Sequence, residues 1–366
     1  MTLFSAILSP ATVTIPRPVL KRMATLVRVL ASLAGNPQYQ AVVAPLVPQS
    51  ARLDPGHAAV MMGYDFHLSP DGPRLIEVNT NAGGILPAWL AGHPGAPVPE
   101  RLQKRLCATF AAEMQAHSRG ILRKPRRIAI IDETPAQQFL YPEMQLFAEL
   151  FQAWGVAAAV VDPSELTATA DGVLLRGERI DLVYNRHCDF YLETSPLAGL
   201  LASYQAGTVC LTPNPFNYAL LADKRRMVQW CDDQLLAACD LGEAERELLG
   251  ECVPESRLLT AADREQLWRE RDEWVFKPVD RFGSRGVLVG EKMTRVRFEQ
   301  LEAPTTLVQR LVPPALTEVS GYGPMKTDIR LYAYRVRVLG VTARLYRGQV
   351  TNLRTAGGGF AAVRIG

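Results

Sequence analysis

The sequence predicts an α/β protein in which a small parallel-sheet domain accompanies a second set of longer strands. The first observation is an alternation of strand and helix in the middle of the chain. A buried strand over 127–132 ends in an acid, a helix follows over 143–154, and another strand covers 156–162. Such alternation is typical of a parallel sheet. The second observation is a pair of long alternating strands over 327–334 and 337–346, which indicates a separate sheet.

Length and composition allow two or three globular domains. The 366 residues are 48% hydrophobic and 21% charged, and the net charge of +3 is too small to favour nucleic acid or a membrane surface as a partner. No apolar run reaches the roughly 20 residues of a membrane helix. The six cysteines form no Cys-x-x-Cys pair and show no ligand spacing with the five histidines. Reduced thiols and no visible signal peptide therefore predict a cytoplasmic protein.

The front of the chain is predicted to hold two helical regions around a hairpin. Apolar residues recur at helical spacing over 17–47, with a stop signal at 35–37. A loop rich in proline and glycine is expected over 87–99, and a second helix over 100–118.

The hairpin between these helices carries a candidate metal site. Two alternating strands flank a turn signal centred near Asp71. Alternation places Glu77 and Asn79 on one face, and the turn sets Asp65 opposite Glu77. Opposed carboxylates repel, and a divalent cation would reverse that penalty, so Asp65→Asn is expected to stabilise the metal-free protein. Oxygen donors suit Mg²⁺, with Mn²⁺ as the alternative ion. The competing interpretation is an exposed hairpin with solvated acids.

The later part of the chain holds features suited to phosphate binding. After a mostly helical stretch over 215–275, a strand over 274–278 carries Lys277 and is followed by a glycine loop over 281–286. Glycines let backbone amides approach phosphate oxygens, and the lysine supplies charge. An ordinary glycine hairpin is the alternative. The next strand, over 306–312, stops at two prolines.

Charged residues share one face of the strand over 327–334. Lys326, Asp328 and Arg330 lie on that face, and Arg344 has matching spacing on the neighbouring strand. The pattern indicates either a polar site or an exposed sheet face with ion pairs.

Together these segments resemble the ATP-grasp superfamily. The resemblance rests on the following segments in order: Asp223-Lys224, Val275-Phe276-Lys277-Pro278 with its glycine loop, the hinge strand 308–312, Asp328-Ile329-Arg330, Arg344, and Asn352 with Gly357-Gly358. In the superfamily a metal-binding segment follows the last glycines, whereas here its counterpart stands at the front of the chain. The resemblance therefore implies an α+β grasp fold in circularly permuted order, with an inserted small parallel-sheet domain.

The resemblance also implies a division into four units. They are a permuted end of the grasp domain with the metal hairpin (1–120), a small α/β domain (121–215), a lid with the glycine loop (216–305) and a central sheet (306–366).

Site residues follow from the same matches. The resemblance assigns ATP contacts to Lys224, Lys277, Gly283, Ser284, Gly286, Gln309, Arg310, Leu311 and Lys326. It assigns catalytic roles to Arg330, Arg344 and Asn352, metal ligation to Asp65, Glu77 and Asn79, and substrate contacts to Gly357 and Gly358. Asn185 and Arg186 end a strand near the expected cleft and are further substrate candidates, with a structural ion pair as the alternative. The chain departs from the family pattern at Gly63-Tyr64, where an arginine is common, and at Gln309-Arg310, where an acid and a lysine are common.

The implied activity is ATP- and Mg²⁺-dependent ligation of a carboxylate to an amine through an acyl phosphate, with release of ADP and phosphate. The expected partners are small-molecule or peptide-like substrates, and a homodimer is compatible with the sequence. Three alternatives remain open: a non-catalytic ATP-binding regulatory module, a phosphotransferase that stops at phosphoryl transfer, and an α/β protein in which the motifs coincide by chance.

Overall fold

The computed structural model describes residue 4, residues 7–281 and residues 286–366. Among these residues, no helix is both long and apolar enough to cross a membrane. The helices are α1 (Arg17–Ala34), α2 (Pro37–Val43), α3 (Ile85–Gly92), α4 (Glu100–His117), α5 (Tyr141–Ala153), α6 (Ala198–Gln205), α7 (Pro215–Asn217), α8 (Arg226–Gln229), α9 (Asp233–Ala238), α10 (Glu243–Cys252), α11 (Arg264–Arg269) and α12 (Arg295–Glu299).

Within the part of the chain that the structure describes, the strands form four sheets. They are β1 (Leu8–Ile15), β2 (Met62–Ser69), β3 (Gly72–Asn79), β4 (Arg127–Ile131), β5 (Ala157–Val161), β6 (Leu166–Thr169), β7 (Gly172–Leu175), β8 (Glu178–Ile180), β9 (Leu182–Asn185), β10 (Cys210–Thr212), β11 (Ser256–Leu258), β12 (Trp274–Pro278), β13 (Leu288–Val289), β14 (Thr306–Arg310), β15 (Ala315–Val319), β16 (Gly323–Tyr334), β17 (Arg337–Tyr346) and β18 (Gly359–Ile365).

The largest sheet joins the front of the chain to its last third. Its strand order is β1-β18-β17-β16-β2-β3, and β15 also pairs with β16. The β2–β3 hairpin lies beside β16 because β2 and β16 pair in antiparallel register. One face of this sheet packs against α1, with Leu26 and Leu30 in the same core as Leu331 and Leu345. The opposite face is therefore available for polar side chains.

The predicted parallel sheet is confirmed. Its order is β10-β9-β4-β5, and every pairing in it is parallel. Apolar residues of β4 are fully buried, because helices or loops cover both faces. The carboxyl end of β4 leads into Asp132, and the end of β5 into Asp162.

A third sheet has the order β11-β14-β12-β13 and is antiparallel throughout. The predicted unit 306–366 begins with β14, which lies in this third sheet and not in the largest sheet. β14 pairs with β12 and β11 in this third sheet, where Phe276 and Val308 share one hydrophobic core. β14 therefore belongs with the strands of the predicted lid, and the division of the chain into units remains a prediction.

Other local differences have simple causes. β1 was not expected, and helix α3 occupies the first part of the loop expected over 87–99. Pro87 lies in the first turn of α3, where a backbone N–H has no intrahelical acceptor, so proline is tolerated. The helical region 17–47 is divided at Gly35, and Asn36 caps α2 by accepting from the amides of Gln38 and Tyr39.

Candidate active site between two sheets

A cavity of about 380 Å³ lies between the largest sheet, hereafter the central sheet, and the third sheet. The third sheet contributes Val275, Lys277 and Gln309 to its lining. The central sheet contributes Asp65, Glu77, Asp328 and Arg344, and these come from β2, β3, β16 and β17. The cavity therefore combines residues from the front of the chain with residues from its last third.

Strand alternation explains the wall formed by the third sheet. Val275 pairs with Gln309 and Lys277 with Leu307, so these four side chains share the face toward the cavity. Lys277 Nζ donates to Gln309 Oε1 at 2.6 Å and to the carbonyl of Ile76 in β3 at 3.0 Å. Lys277 thus connects the third sheet to the metal hairpin.

Burial controls the charge of Lys277. The residue is only 7% exposed. Burial lowers the pKa of its ammonium to about 8, although the nearby Glu77 carboxylate acts in the opposite direction. The cavity therefore holds a lysine that loses its proton more readily than a surface lysine does.

A chain of ion pairs forms the opposite wall. Register places Asp65 beside Arg330 and Asp328 beside Arg344. Asp65 Oδ1 accepts from Arg330 Nε at 2.6 Å, and Asp65 Oδ2 lies 2.9 Å from Arg344 Nη2. Arg344 Nε donates to Asp328 Oδ1 at 2.5 Å, and Thr351 Oγ1 donates to Asp328 Oδ2 at 2.7 Å. The two acids and two guanidinium groups alternate, so their charges compensate within the group.

The two arginines keep Asp65 ionised. Burial acts to raise the pKa of this carboxyl, but the charges of Arg330 and Arg344 outweigh it and bring the pKa to about 2. Arg344 shows the converse behaviour, since its two carboxylate partners raise its pKa against the effect of burial.

The predicted pairing within the metal hairpin is confirmed in register: Asp65 lies opposite Glu77. Asn79 Nδ2 donates to Asp65 Oδ2 at 3.2 Å, so that oxygen has contacts with Asn79, Arg330 and Arg344. Among the described residues, no hydrogen-bond partner is present for the Glu77 carboxylate, which faces the cavity. Glu77, Asp65 and Asn79 carry oxygen atoms of the kind that Mg²⁺ prefers, and their role as metal ligands remains a prediction.

Most residues with an expected ATP contact line the cavity. They are Lys224, Lys277, Gln309, Arg310, Leu311 and Lys326. Gly283 and Ser284 lie outside the described residues. Gly286 is not part of the lining; its φ is +74°, and a Cβ there would approach Pro278 Cγ to 2.9 Å, so the turn requires glycine.

The three residues with expected catalytic roles occupy different positions. Arg344 lines the cavity. Arg330 lies behind Asp65, and its Nη1 also contacts the carbonyl of Gly83 at 3.4 Å. Asn352 is exposed and accepts from the amide of Arg354, whereas its neighbour Thr351 lines the cavity. The catalytic roles themselves remain predictions, and Thr351 is the residue of this segment closest to the charged wall.

The four residues with expected substrate contacts serve packing in this structure. Arg186 is buried and donates to the carbonyl of Asn81 at 2.8 Å, which holds the turn after the metal hairpin. Asn185 Oδ1 accepts from the amide of His187. A Cβ at Gly357 would lie 2.4 Å from the Tyr322 ring, and one at Gly358 would lie 2.4 Å from the carbonyl of Leu345. Their substrate roles remain predictions, but close packing already explains both glycines.

Sequence reasoning missed several residues that line the cavity. His67 Nδ1 lies 2.6 Å from the carbonyl oxygen of Val312, so it joins β2 to the hinge segment after β14. Alternation with Asp65 was the available signal, because the two side chains share a strand face. Tyr346 follows Arg344 at the same spacing and also lines the cavity. Asp328 was recognised on its strand but had no assigned role.

A second and larger cleft of about 940 Å³ adjoins the cavity. It lies at the carboxyl edge of the parallel sheet, where Asp132 and Asp162 follow β4 and β5. Asp223 and Arg225 line this cleft while Lys224 between them lines the cavity, so the two spaces lie on either side of one segment. Carboxylates predominate around it, and Arg225 is the one guanidinium among its described lining residues.

No protein-family model and no curated protein matches the chain. One similar solved structure is named "putative gamma-glutamylcysteine synthetase" from Methylobacillus flagellatus KT; it is 12% identical, has a TM-score of 0.52, and the match covers 94% of this chain and 88% of that one. Structures of the ATP-grasp ligase PsnB also match. The complex with a phosphomimetic variant of the minimal precursor, Mg and ADP is 17% identical, with a TM-score of 0.29 and coverage of 58% and 87%. The complex with precursor peptide PsnA2 and AMPPNP is 14% identical, with a TM-score of 0.29 and coverage of 64% and 86%.

These comparisons establish similarity of fold only. The first match extends over nearly the whole of both chains, so the two proteins share a mixed α/β architecture. The PsnB matches have TM-scores too low to compare individual residues. At the level of overall architecture, several sheets with helices between them agree with the α+β grasp fold that the sequence indicates.

Proposed function

We propose that the protein is an ATP- and Mg²⁺-dependent ligase that activates a carboxylate as an acyl phosphate and joins it to an amine, with release of ADP and phosphate. The observation that carries this proposal is the shared cavity. Glu77 from the front hairpin faces the same space as Lys277, Arg344 and the hinge residues of β14. A nucleotide needs this combination of an apolar region for the base and cations for the phosphates.

The two ends of the cavity suit the two ends of ATP. Val275, Val289 and Leu311 form an apolar region beside the hinge, where adenine would bind. Lys277 and Arg344 lie toward the carboxylates of the central sheet and would contact the phosphates. Glu77, Asp65 and Asn79 would hold Mg²⁺, which would neutralise phosphate charge.

The protein residues act by positioning and by charge. A substrate carboxylate oxygen attacks the γ-phosphorus, and the bond from that phosphorus to the bridging oxygen of ADP breaks. An amine nitrogen then attacks the acyl carbon, loses a proton to solvent, and displaces phosphate. Lys277 and Arg344 would stabilise the negative charge that spreads over the phosphoryl oxygens. No covalent nucleophile of the protein is needed.

We assign the acceptor amine to the larger cleft beside the cavity. Its carboxylates, among them Asp132, Glu133 and Asp189, would attract a cationic amine and disfavour a second anionic group. Amino acids, peptides with a free amine and small polyamines have this chemistry. The amine would approach the acyl phosphate past Asp223 and Asp280, which line the cleft nearest the cavity.

We further propose that the strand order results from circular permutation of a grasp domain. Pairing of the β2–β3 hairpin with β16 supports this proposal, because it returns the metal segment to the sheet that holds Asp328 and Arg344. Permutation is structurally inexpensive when the joined ends lie close together.

Glu77→Gln is expected to abolish ADP formation while the protein remains folded. The substitution removes a charge that has no hydrogen-bond partner among the described residues and keeps the side-chain shape. ADP release should be measured over pools of amino acids and peptides, with hydroxylamine added to trap an activated carboxylate. Glu291→Gln, at the exposed rim of the same cavity, is the matched control and should retain activity.

Hydroxamate formation together with ADP supports the ligase. ADP formation without hydroxamate would indicate a phosphotransferase, and tight ATP binding with no ADP over all pools would indicate a regulatory nucleotide-binding protein. Unchanged turnover in Glu77→Gln would refute the metal assignment.

Nucleotide affinity is expected to weaken as the pH rises above 8. The pKa of Lys277 is lowered to about 8, so the free protein loses this cation through that pH, whereas phosphate binding favours the protonated form. Affinity should fall by up to about tenfold per pH unit above 8, with proton uptake on binding. Calorimetry in buffers of different ionisation enthalpy measures both quantities. A constant affinity from pH 8 to 9.5 would contradict a phosphate contact by Lys277.

A further inference from the structure

Three residues remote in sequence meet outside the cavity and the cleft. His57 precedes β2, His117 ends α4, and Cys210 begins the edge strand β10 of the parallel sheet. Their donor atoms, two imidazole nitrogens and one sulfur, all lie within 4.8 Å of one another. Sequence spacing gave no sign of this group, because 60 and 93 residues separate its members.

His57 has a buried nitrogen without a partner. The residue is 6% exposed, and its Nδ1 lies 2.9 Å from Oε2 of Glu113. Glu113 is fully buried and also accepts from Tyr334 Oη at 2.7 Å and Thr212 Oγ1 at 3.1 Å. The carboxylate beside Nδ1 favours the tautomer with its proton on Nδ1, and in that neutral imidazole Nε2 carries a free lone pair. Nε2 has no hydrogen-bond partner among the described residues.

An unpaired buried polar atom costs roughly 1–3 kcal/mol, so its presence needs an explanation. Because Glu113 holds Nδ1, Nε2 is the nitrogen of His57 that is left to serve as a ligand in the cluster with His117 and Cys210. A carboxylate on the far nitrogen of a histidine is also the usual companion of a metal-bound imidazole, because it fixes the tautomer and orients the ring. Simple core packing accounts for the burial of Cys210 but not for the unpaired nitrogen.

We propose that His57, His117 and Cys210 form a binding site for a thiophilic transition-metal ion, with Zn²⁺ as the best fit. Two imidazoles and one thiolate favour Zn²⁺ over Mg²⁺, which prefers oxygen. Ligands of a tetrahedral Zn²⁺ lie roughly 3.3–3.8 Å from one another, so the site requires only a modest contraction. His117 is half-buried at the end of its helix, which leaves room for that movement and for a water molecule as fourth ligand.

A metal ion at this site would link the segment before β2, the end of α4 and the start of β10. The carbonyl of Ala58 accepts from Asn214 Nδ2 at 3.0 Å, and the amide of Val60 donates to Thr212 Oγ1 at 3.1 Å. The segment 57–61 is thus already bound to the end of β10 and to the residues that follow it, and it leads directly into β2 with Asp65. A metal ion would therefore stabilise the segment that holds β2, the strand that carries Asp65, in place. This inference does not depend on the proposed ligase activity.

The test uses the full chain, free of any histidine tag and treated with chelator. Titration with Co²⁺ alone should give one equivalent of tight binding, with a thiolate-to-cobalt charge-transfer band and the visible spectrum of a tetrahedral ion. Zn²⁺ should displace it and raise the melting temperature. Cys210→Ser should remove the charge-transfer band and weaken affinity at least about 100-fold, whereas Glu113→Gln should weaken it about 10–100-fold and keep the band.

Cys107→Ser is the matched control, since Cys107 is a buried thiol of α4 in the same hydrophobic core but outside the cluster. It should retain both the band and the affinity, even if its stability falls as much as that of Cys210→Ser. Absence of a charge-transfer band in the wild type, or its persistence in Cys210→Ser, would overturn the assignment.

Discussion

Lys277→Met should lower ATP affinity by about 100-fold or more and change the free energy of unfolding at pH 7 only slightly. Charge-assisted hydrogen bonds to phosphate contribute about 1.5–3 kcal/mol each, so loss of one or two accounts for the affinity. Stability involves two opposing effects. Removal of the buried ammonium, whose pKa is lowered to about 8 from 10.5, relieves the protein of about 3 kcal/mol at pH 7. The substitution also leaves Gln309 Oε1 and the carbonyl of Ile76 without their donor, which costs a similar amount.

Calorimetry with Mg-ATP and urea denaturation at pH 7 measure the two effects separately. Lys292→Met is the matched control, because Lys292 lines the same cavity from an exposed position. It should reduce affinity only a few-fold. Equal losses of affinity in both variants would show that general charge in the cavity, rather than the buried position of Lys277, determines binding.

Asp65→Asn should destabilise the protein by about 3–5 kcal/mol, since it leaves two buried guanidinium groups without a full counter-charge. The side chains of Asp65, Arg330 and Arg344 are 6%, 11% and 9% exposed, so water cannot replace the lost partner. The sequence favoured the opposite result, because only Glu77 was expected opposite Asp65. In the structure Arg330 and Arg344 both compensate the Asp65 carboxylate, and loss of these two ion pairs outweighs relief of its repulsion with Glu77.

Asp71→Asn, at the turn of the same hairpin, is the control for this prediction. Its side chain is 80% exposed and lies 4.0 Å from Arg74, so the loss should stay below about 1 kcal/mol. Urea denaturation followed by both fluorescence and circular dichroism gives the comparison. A loss in Asp65→Asn no greater than in Asp71→Asn would show that the buried pairs add nothing, whereas partial recovery with Arg330→Met added would confirm the coupling.

The difference in unfolding free energy between the wild type and Asp65→Asn should depend on pH in a defined direction. The pKa of Asp65 falls from 3.8 to about 2 on folding, so its contribution is complete above pH 4 and is lost as the pH falls toward 2. The advantage of the wild type over Asp65→Asn should therefore diminish below pH 4.

Period-two patterns made much of the site predictable. Alternation along 64–79 and 327–346 places Asp65, Glu77 and Arg344 on the faces where the structure has them, because a strand fixes side-chain direction without reference to its partners. The same patterns did not predict which charged side chains would form ion pairs with one another. Arg330 was expected at the phosphates but lies behind Asp65, since strand register across 265 residues decides that contact.

Glycines and turns were less informative than strands. Gly357 and Gly358 match a functional pattern, but packing also requires glycine at both positions. A side chain at Gly357 would collide with Tyr322, and one at Gly358 would collide with the carbonyl of Leu345. The cluster of His57, His117 and Cys210 was inaccessible for a related reason. Each member comes from a different element, and only the packing of α4 against β10 brings them together.

The pairing of β2 with β16 has a consequence for synthesis of the chain on the ribosome. β3 ends at residue 79 and β16 begins at residue 323, so the hairpin leaves the ribosome long before its partner strand exists. At about 5–20 residues per second, this interval is roughly 12–50 s. Residues 127–212 can complete their parallel sheet within that time. The edge of β2 that pairs with β16 in the finished protein has no partner during the same interval. We therefore expect nascent chains that end before residue 323 to expose this edge of β2 and to be prone to association through it.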